Sequence, residues 1–323
     1  MEKNKPNIVF MGTPAFATGI LTYLLEQGYP VCGVVTVPDK AAGRGLAPRP
    51  SDVKQCALAH HLPLLQPTSL KDPAFLEALA AWNAPLFVVV AFRMLPAQVW
   101  QMPRLGCFNL HASLLPQYRG AAPINHALIN GEPETGLTTF LLDEQIDTGS
   151  LLHQIHIPIA PDDTIGTLHD KLMLAGGPLV AQTIDGLADG SLTGTPQPRV
   201  APQDLKPAPK LNKEMARIRW NNPSAHIANL VRGLSPYPCA TATLVRNTGT
   251  PQQADYKIYA VAAEQGRPTA PVGTILSDGK TYLKVACQDG YIHLLEVQAP
   301  GKKRMDIRAF LAGFRNPQEA AFI

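Results

Sequence analysis

Apolar segments alternate with a helical segment at the start of the chain. The first apolar segment, Asn7–Met11, is followed by a segment of helical period, Phe16–Gln27, and then by a second apolar segment, Val31–Thr36. Two more apolar segments lie at Leu86–Ala91 and Gly106–His111. Buried parallel strands are apolar on both faces and are joined by helices, so this order predicts an α/β domain with a parallel sheet.

The pattern changes in the second half of the chain. Residues 190–210 are rich in proline and lack a period, which predicts a linker. A short helix is predicted at Ala225–Gly233, and short strands separated by turn residues follow it, at 240–245, 257–261, 273–276, 282–286 and 292–297. Such strands are typical of a small β-barrel or sandwich. We therefore predict domains at 1–189 and 211–323 around the linker.

Composition narrows the class of protein. The 323 residues are 46% hydrophobic and 16% charged, as in ordinary globular chains. No apolar run reaches 18 residues and the N-terminal segment does not resemble a signal peptide, so we expect a cytoplasmic protein without a membrane partner. The five cysteines are widely spaced and form no C-x-x-C pair, which argues against disulfides and against a zinc site.

Charge is distributed unevenly. Residues 1–205 carry 12 basic and 17 acidic residues, a net charge of −5, whereas residues 206–323 carry 16 and 8, a net charge of +8. A basic C-terminal part is typical of a chain that binds a polyanion. On composition alone, a solvated basic surface without a partner explains the charge equally well.

The turn after the first strand argues against a dinucleotide cofactor. Met11–Phe16 contains one glycine, and Pro14 follows it closely, whereas a pyrophosphate needs the close backbone approach that several glycines permit. The turn can still line a substrate pocket.

Asn109 and His111 are the first candidates for chemistry. Residues i and i+2 of a strand point to the same side, and these two lie at the carboxyl end, where ligands bind in open α/β sheets. An amide donor and an imidazole together can hold a carbonyl oxygen and move a proton. Asp147, in the turn Asp147-Thr148-Gly149, could orient His111. Taken alone, Asn-x-His is more often a satisfied polar pair at a strand end.

The surrounding residues resemble a known family. The segment Gly106–Pro123, together with Asp147–Gly149, resembles the signature of the 10-formyltetrahydrofolate-dependent formyltransferases. The resemblance runs nearly end to end, and within the family the chain resembles the members that formylate methionyl-initiator tRNA. Further matching segments are Met11–Pro14, Pro38–Gly45, Arg119–Pro123, Gly131–Gly136 and Pro300–Lys303.

The resemblance implies a fold and a reaction. The fold would be a Rossmann-like, mostly parallel sheet in the N-terminal catalytic domain, followed by a small C-terminal β-barrel (OB-like) domain that binds tRNA. The reaction would move the formyl group of 10-formyltetrahydrofolate, a co-substrate, onto the α-amine of methionyl-initiator tRNA for translation initiation. No metal would be needed, and we expect a monomer.

The resemblance also assigns residues one by one. The catalytic trio would be Asn109, His111 and Asp147, and the folate-contacting stretch would be Ser113, Leu114, Leu115 and Pro116. The loop from Pro38 to Pro50 would reach the acceptor end of the tRNA, with Arg44 as its best candidate contact. Further tRNA contacts are expected at Lys302, Lys303 and Arg304, although a solvated basic turn is the competing interpretation.

One position departs from the usual pattern of close relatives. They usually have a Tyr-Gly pair after the alanine of the third strand, where this chain has Phe92-Arg93, as in the family's purine-pathway members. We expect the wall of the pterin pocket to differ here, and the roles of Phe92, Arg93 and Met94 stay open.

Two other functions compete with this one. A related formyltransferase could use a small amine, such as a purine-pathway ribonucleotide or a nucleotide-linked amino sugar, and would not need the basic second domain. A catalytically silent RNA- or folate-binding module is the second alternative, and the intact trio speaks against it. His153 and His156 lie three apart on an alternating strand, so they should face opposite sides and cannot share a metal.

Overall fold

The chain divides into two compact units. The computed structural model describes residues 5–42, 47–246 and 252–323. The first unit comprises Met1–Pro123, Thr135–Pro158 and His169–Pro207, and the second comprises Ile124–Glu134, Ile159–Leu168 and Ala208–Ile323. Neither unit is continuous along the sequence. The predicted limits of 1–189, 190–210 and 211–323 stay a prediction.

The first unit is built on a seven-stranded sheet. Its strands and the separate β3–β4 hairpin are β1 Ile8–Gly12, β2 Val31–Val35, β3 Lys40–Ala42, β4 Ala47–Arg49, β5 Leu64–Leu65, β6 Leu86–Val90, β7 Cys107–His111, β8 Glu134–Leu141 and β9 Leu151–Pro158. The order in the sheet is β5-β2-β1-β6-β7-β8-β9. The pairs from β5 to β7 are parallel, whereas β7 pairs with β8 antiparallel. All residues of β1 and β6 are buried, which explains their unbroken apolar sequence.

The helices in this part of the chain are α1 Ala15–Glu26, α2 Asp52–Ala59, α3 Pro73–Ala81, α4 Ala97–Trp100, α5 Pro123–Ile129 and α6 Ile165–Asp189. Helix α5 belongs to the second unit from Ile124 on, and α6 belongs to the first unit from His169 on. Glycines let α1 and α6 approach closely, because a Cβ at Gly176 would lie 2.7 Å from Cδ1 of Ile20 and one at Gly19 would lie 2.4 Å from the sulfur of Met173. Thr164 begins α6 by accepting a hydrogen bond from the backbone N–H of Thr167, which caps the helix.

The second unit is an antiparallel sheet that nearly closes into a barrel. Its elements are α7 Ser224–Leu234, β10 Ala240–Arg246, β11 Gln252–Gln265, β12 Ile275–Ser277, β13 Leu283–Cys287, β14 Gly290–Gln298, β15 Met305–Asp306, α8 Ile307–Gly313 and β16 Ala320–Phe322. The sheet order is β12-β13-β14-β11-β10-β16. Phe322 donates its backbone N–H to the carbonyl of Gly273, which brings the two edges together. A Cβ at Gly273 would lie 2.2 Å from the carbonyl oxygen of Phe322, so closure requires glycine here.

The structure confirms the predicted fold class, a mostly parallel sheet followed by a small β-barrel. The predicted strands lie within a few residues of those observed, apart from β11, which is longer than the predicted 257–261. The predicted linker makes contacts within the first unit: Thr195 and Leu151 exchange two backbone hydrogen bonds, and Tyr118 donates one to Lys206. All five cysteines are free. Within the described ranges, none of the helices has the length and apolar character needed to cross a membrane.

Candidate active site

Strand β7 presents Asn109 and His111 on one side of the sheet, as their spacing predicts. Asn109 pairs with Val89 of β6, and His111 with Thr138 of β8. The strand therefore lies where the sheet changes from parallel to antiparallel pairing. His111 is its last residue, so the imidazole stands at the carboxyl end of the parallel part, where a ligand crevice is expected.

The imidazole of His111 is buried between two acceptors. Its residue is 6% exposed, and Nε2 lies 2.8 Å from the carbonyl oxygen of Tyr118. A carbonyl can only accept, so Nε2 carries a proton. Nδ1 lies 3.7 Å from Oδ2 of Asp147, which is ion-pair range and too long for a direct hydrogen bond. Because Nε2 is engaged with the carbonyl of Tyr118, Nδ1 is the nitrogen left for reacting groups.

Asp147 is held at its side chain and at its backbone. Its Oδ2 accepts a hydrogen bond of 2.9 Å from the backbone N–H of Gly120, and its φ of 55° lies in the left-handed region, which aspartate tolerates better than most residues. Gln197 donates from Nε2 to the carbonyl oxygens of Asp147 and Gly149, at 2.9 and 3.0 Å, and accepts at Oε1 from Arg119. The carboxylate is thus fixed beside His111 through both its side chain and its backbone.

The turn after β7 is fixed by buried hydroxyls. Ser113 is fully buried and donates from Oγ to the carbonyl oxygen of Gln117. Thr138 donates from Oγ1 to the carbonyl of Ser113 and accepts from the backbone N–H of Leu115. Gln154 adds a hydrogen bond of 3.1 Å to the carbonyl of Leu115. These bonds give the stretch Ser113–Pro116 one backbone shape.

A cavity of about 590 Å³ lies in the first unit. Its lining is Ser69, Leu70, Lys71, Arg93, Met94, Leu95, Pro96, Ala97, Gln98, Trp100 and Glu144. Glu144 belongs to the same turn that carries Asp147, and Asp143 stabilises that turn by accepting hydrogen bonds from the Thr148 hydroxyl. The cavity volume is in the range typical of small-molecule sites. A ligand there would border the turn that supplies Asp147.

Comparison with known proteins identifies the family. The family model for formyl transferase matches residues 6–184, and the model for the formyl transferase C-terminal domain matches residues 210–315. The chain belongs to the formyl transferase family. It is 52% identical over 316 residues to the methionyl-tRNA formyltransferase of Bacteroides thetaiotaomicron, covering 98% of each chain, and 48% identical to that of Flavobacterium johnsoniae, covering 99% of each.

Solved structures share the fold of this formyl transferase. WlaRD, a sugar 3N-formyl transferase, superposes with a TM-score of 0.63 at 19% identity, over 93% of this chain and 100% of that one. HypX from Aquifex aeolicus in complex with tetrahydrofolic acid gives a TM-score of 0.62 at 15% identity, over 95% of this chain and 47% of that one. At these identities the likeness concerns the fold alone.

The structure brings together the predicted site residues of the first unit that it describes. Asn109, His111 and Asp147 lie in one place, next to the turn Ser113–Pro116. Arg44 lies outside the described residues. The assignment of all these residues to catalysis and folate binding stays a prediction.

The predicted tRNA contacts form a turn in the second unit. Lys302, Lys303 and Arg304 are all exposed. The guanidinium of Arg304 forms an ion pair with Glu296 and lies 4.5 Å from the ring centre of Tyr259, so part of its charge is already balanced. The two lysines are the stronger candidates for a phosphate contact.

The two histidines that were predicted to lie on opposite faces of a strand do so. His153 and His156 lie on β9, whose exposure alternates along the strand, so they face opposite sides. Burial lowers the pKa of His153 below its usual range, which favours the neutral ring.

Sequence reasoning missed the supporting residues of the site. Gln197 is 50 residues from Asp147 and lies in the segment that looks like a linker. Thr138 and Gln154 belong to strands whose polar residues could face either side. One signal could have pointed to Thr138. It was the presence of polar residues on β8, the strand next to the one that carries Asn109 and His111.

Proposed function

We propose that the protein transfers the formyl group of 10-formyltetrahydrofolate to the α-amine of methionyl-initiator tRNA. The observation that carries this proposal is the set formed by Asn109, His111 and Asp147, an amide, an imidazole and a fixed carboxylate at the carboxyl end of a central strand. The acceptor is proposed from the relatives named methionyl-tRNA formyltransferase, which match the chain over nearly its whole length.

The reaction is an acyl transfer. The neutral amine nitrogen forms a bond to the formyl carbon, and the bond between that carbon and N10 of the folate then breaks. The amine loses one proton and N10 gains one, so the transfer needs no oxidant or reductant. Between the two steps the formyl oxygen carries negative charge, and its stabilisation lowers the barrier most.

Asn109 and His111 can meet that charge together. The amide of Asn109 donates a hydrogen bond, and the ring of His111 offers a second one from Nδ1, since Nε2 is engaged with Tyr118. The carboxylate of Asp147 lies 3.7 Å from Nδ1 and aligns the ring. The same Nδ1 can pass a proton, directly or through a water, between the amine and the leaving nitrogen.

The donor's ring is proposed to occupy the cavity beside Glu144. The cavity and the turn Ser113–Pro116 are both in the first unit. The loop from Asp143 to Asp147 borders the cavity through Glu144 and also supplies the carboxylate of Asp147 to the site. A folate placed there brings its formyl group towards β7. Ser113 contributes through the shape of the turn, because its hydroxyl is buried and bonded to Gln117.

The second unit is proposed to hold the tRNA. Residues 206–323 carry a net charge of +8, and Lys302 and Lys303 are exposed within them. Basic side chains on a surface attract a phosphate backbone without reading its sequence. Arg44, on the loop from Pro38 to Pro50, is proposed to meet the acceptor end.

Formyl transfer to charged initiator tRNA tests the proposal directly. We expect 10-formyltetrahydrofolate to formylate methionyl-initiator tRNA much faster than elongator methionyl-tRNA. The control is the same assay without the folate donor. An enzyme that leaves initiator tRNA untouched but formylates an amino sugar nucleotide or a purine-pathway ribonucleotide would overturn the proposed acceptor.

A further inference from the structure

Most of the cavity wall comes from two separate parts of the chain, and Glu144 adds a third. Residues 69–71 follow β5, and residues 93–98 follow β6. These two strands are not neighbours in the sheet, since β2 and β1 lie between them. Backbone pairing therefore connects the two walls only indirectly, through β2 and β1, and a direct link between them comes from a side chain.

Arg93 provides such a link. Its Nη1 donates to the carbonyl oxygen of Thr68 at 3.0 Å, and its Nη2 donates to that of Pro67. Both carbonyls directly precede the wall that begins at Ser69. Arg93 itself begins the opposite wall. One side chain thus connects the segment after β6 to the segment after β5.

The chemistry of the guanidinium suits this task. Burial lowers the pKa of Arg93, but arginine keeps its charge at any pH at which the protein works. Hydrogen bonds from a charged donor are stronger than neutral ones, and the planar fork reaches two acceptors at once. Among the residues that the structure describes, the buried Nε of Arg93 has no hydrogen-bond partner. The guanidinium thus keeps this position although its Nε–H has no acceptor.

We propose that Arg93 is a positioning residue that holds the cavity in the shape that binds the folate donor. This inference rests on the proposed function, because it takes the folate as the occupant. The terminal nitrogens of Arg93 are occupied by the two carbonyls, and the reacting groups lie on β7. Loss of Arg93 should therefore weaken donor binding and leave the chemical step nearly intact.

Steady-state kinetics of the full chain test this separation. In Arg93→Gln we expect the KM for 10-formyltetrahydrofolate to rise by about 10- to 100-fold, the range for losing hydrogen bonds from a charged group. The kcat should stay within about threefold, and the KM for methionyl-tRNA should not change. Arg93→Lys should lie between the two, because an ammonium keeps the charge without the fork. Arg104→Gln, at an exposed arginine of the same unit, is the matched control.

The outcomes are distinct. An unchanged KM for the donor in Arg93→Gln, or a fall in kcat at constant KM, overturns the role of Arg93. If Arg93→Gln does not fold, the Arg93→Lys variant decides. A wild-type KM for 10-formyltetrahydrofolate together with wild-type affinity for 5-formyltetrahydrofolate in Arg93→Lys would also overturn the role of Arg93. Absence of folate-dependent turnover in the wild-type protein would instead overturn the proposed function.

Discussion

The two units of the protein hold their charged groups in opposite ways. In the first unit, the side chains of His111 and Asp147 are 7% and 15% exposed, and hydrogen bonds from the backbone and from Gln197 fix them. In the second unit, Lys302 and Lys303 are exposed on a turn. Buried, fixed groups act over hydrogen-bond distances, so their effect depends on geometry. Exposed charges act over a Debye length, so their effect depends on salt concentration. The difference indicates that the first unit is built for a chemical step and the second for attracting a charged partner.

The sharpest test of this division is Asn109→Ala. Loss of a donor aimed at a developing oxyanion should lower kcat by about 100- to 1000-fold, with little change in either KM. Single-turnover formylation of charged initiator tRNA measures the chemical step. Gln55→Ala, at an exposed amide on α2, is the control for loss of an amide in the same unit. Turnover near the wild-type rate would remove Asn109 from the catalytic trio.

A smaller loss is expected when the support of Asp147 is removed. Gln197→Ala breaks the two bonds to the carbonyls of Asp147 and Gly149, so the carboxylate should be held less firmly beside His111. We expect kcat to fall by about tenfold, which corresponds to about one hydrogen bond of alignment energy. The KM for tRNA should not move, because the change lies in the buried site.

The control for this variant is Gln101→Ala, an exposed amide elsewhere in the unit. A Gln197→Ala enzyme that keeps its kcat would mean that the Gly120 N–H alone is enough to place Asp147.

The same contrast explains what the sequence could predict. Strands such as β1 and β6 are buried on both faces, so unbroken apolar runs in the sequence predict their position. Asn109 and His111 follow from the two-residue period of a strand. The bond between Gln197 and Asp147 joins residues 50 positions apart in two irregular segments, and irregular backbone has no period from which a contact could be predicted. The pairing of Arg93 with Thr68 is hidden for the same reason.

Changes in the second unit should act on tRNA alone. Replacing Lys302 and Lys303 together with glutamine should raise the KM for tRNA several-fold at low salt and leave kcat and the KM for the folate unchanged. For every phosphate that the variant no longer neutralises, the slope of log affinity against log salt should become shallower by about 0.7 to 0.9. Arg304→Gln should change the slope less, because Arg304 is already paired with Glu296. A double variant with the wild-type slope would show that this turn does not meet the phosphate backbone.

The smallest effect expected concerns the acid stability of the barrel. Hydrogen bonds from Lys284 and His293 hold the pKa of Glu264 below its usual 4.5. The unfolded chain therefore binds the proton more tightly, so this contribution to stability is present above pH 4.5 and is lost as pH falls through the folded-state value. Glu264→Gln should thus show a shallower loss of stability between about pH 5 and pH 3, measured by thermal unfolding of the second unit. The effect is small because the groups are partly solvated.

Glu77→Gln, at an exposed carboxylate on α3, provides the comparison from the first unit and should follow the wild-type profile. Identical acid profiles for Glu264→Gln and the wild type would mean that solvent screens the Glu264 cluster completely. The exposed charges of the second unit would then contribute to attraction of a partner and nothing to the fold, which is the strongest form of the contrast with the buried pair in the first unit.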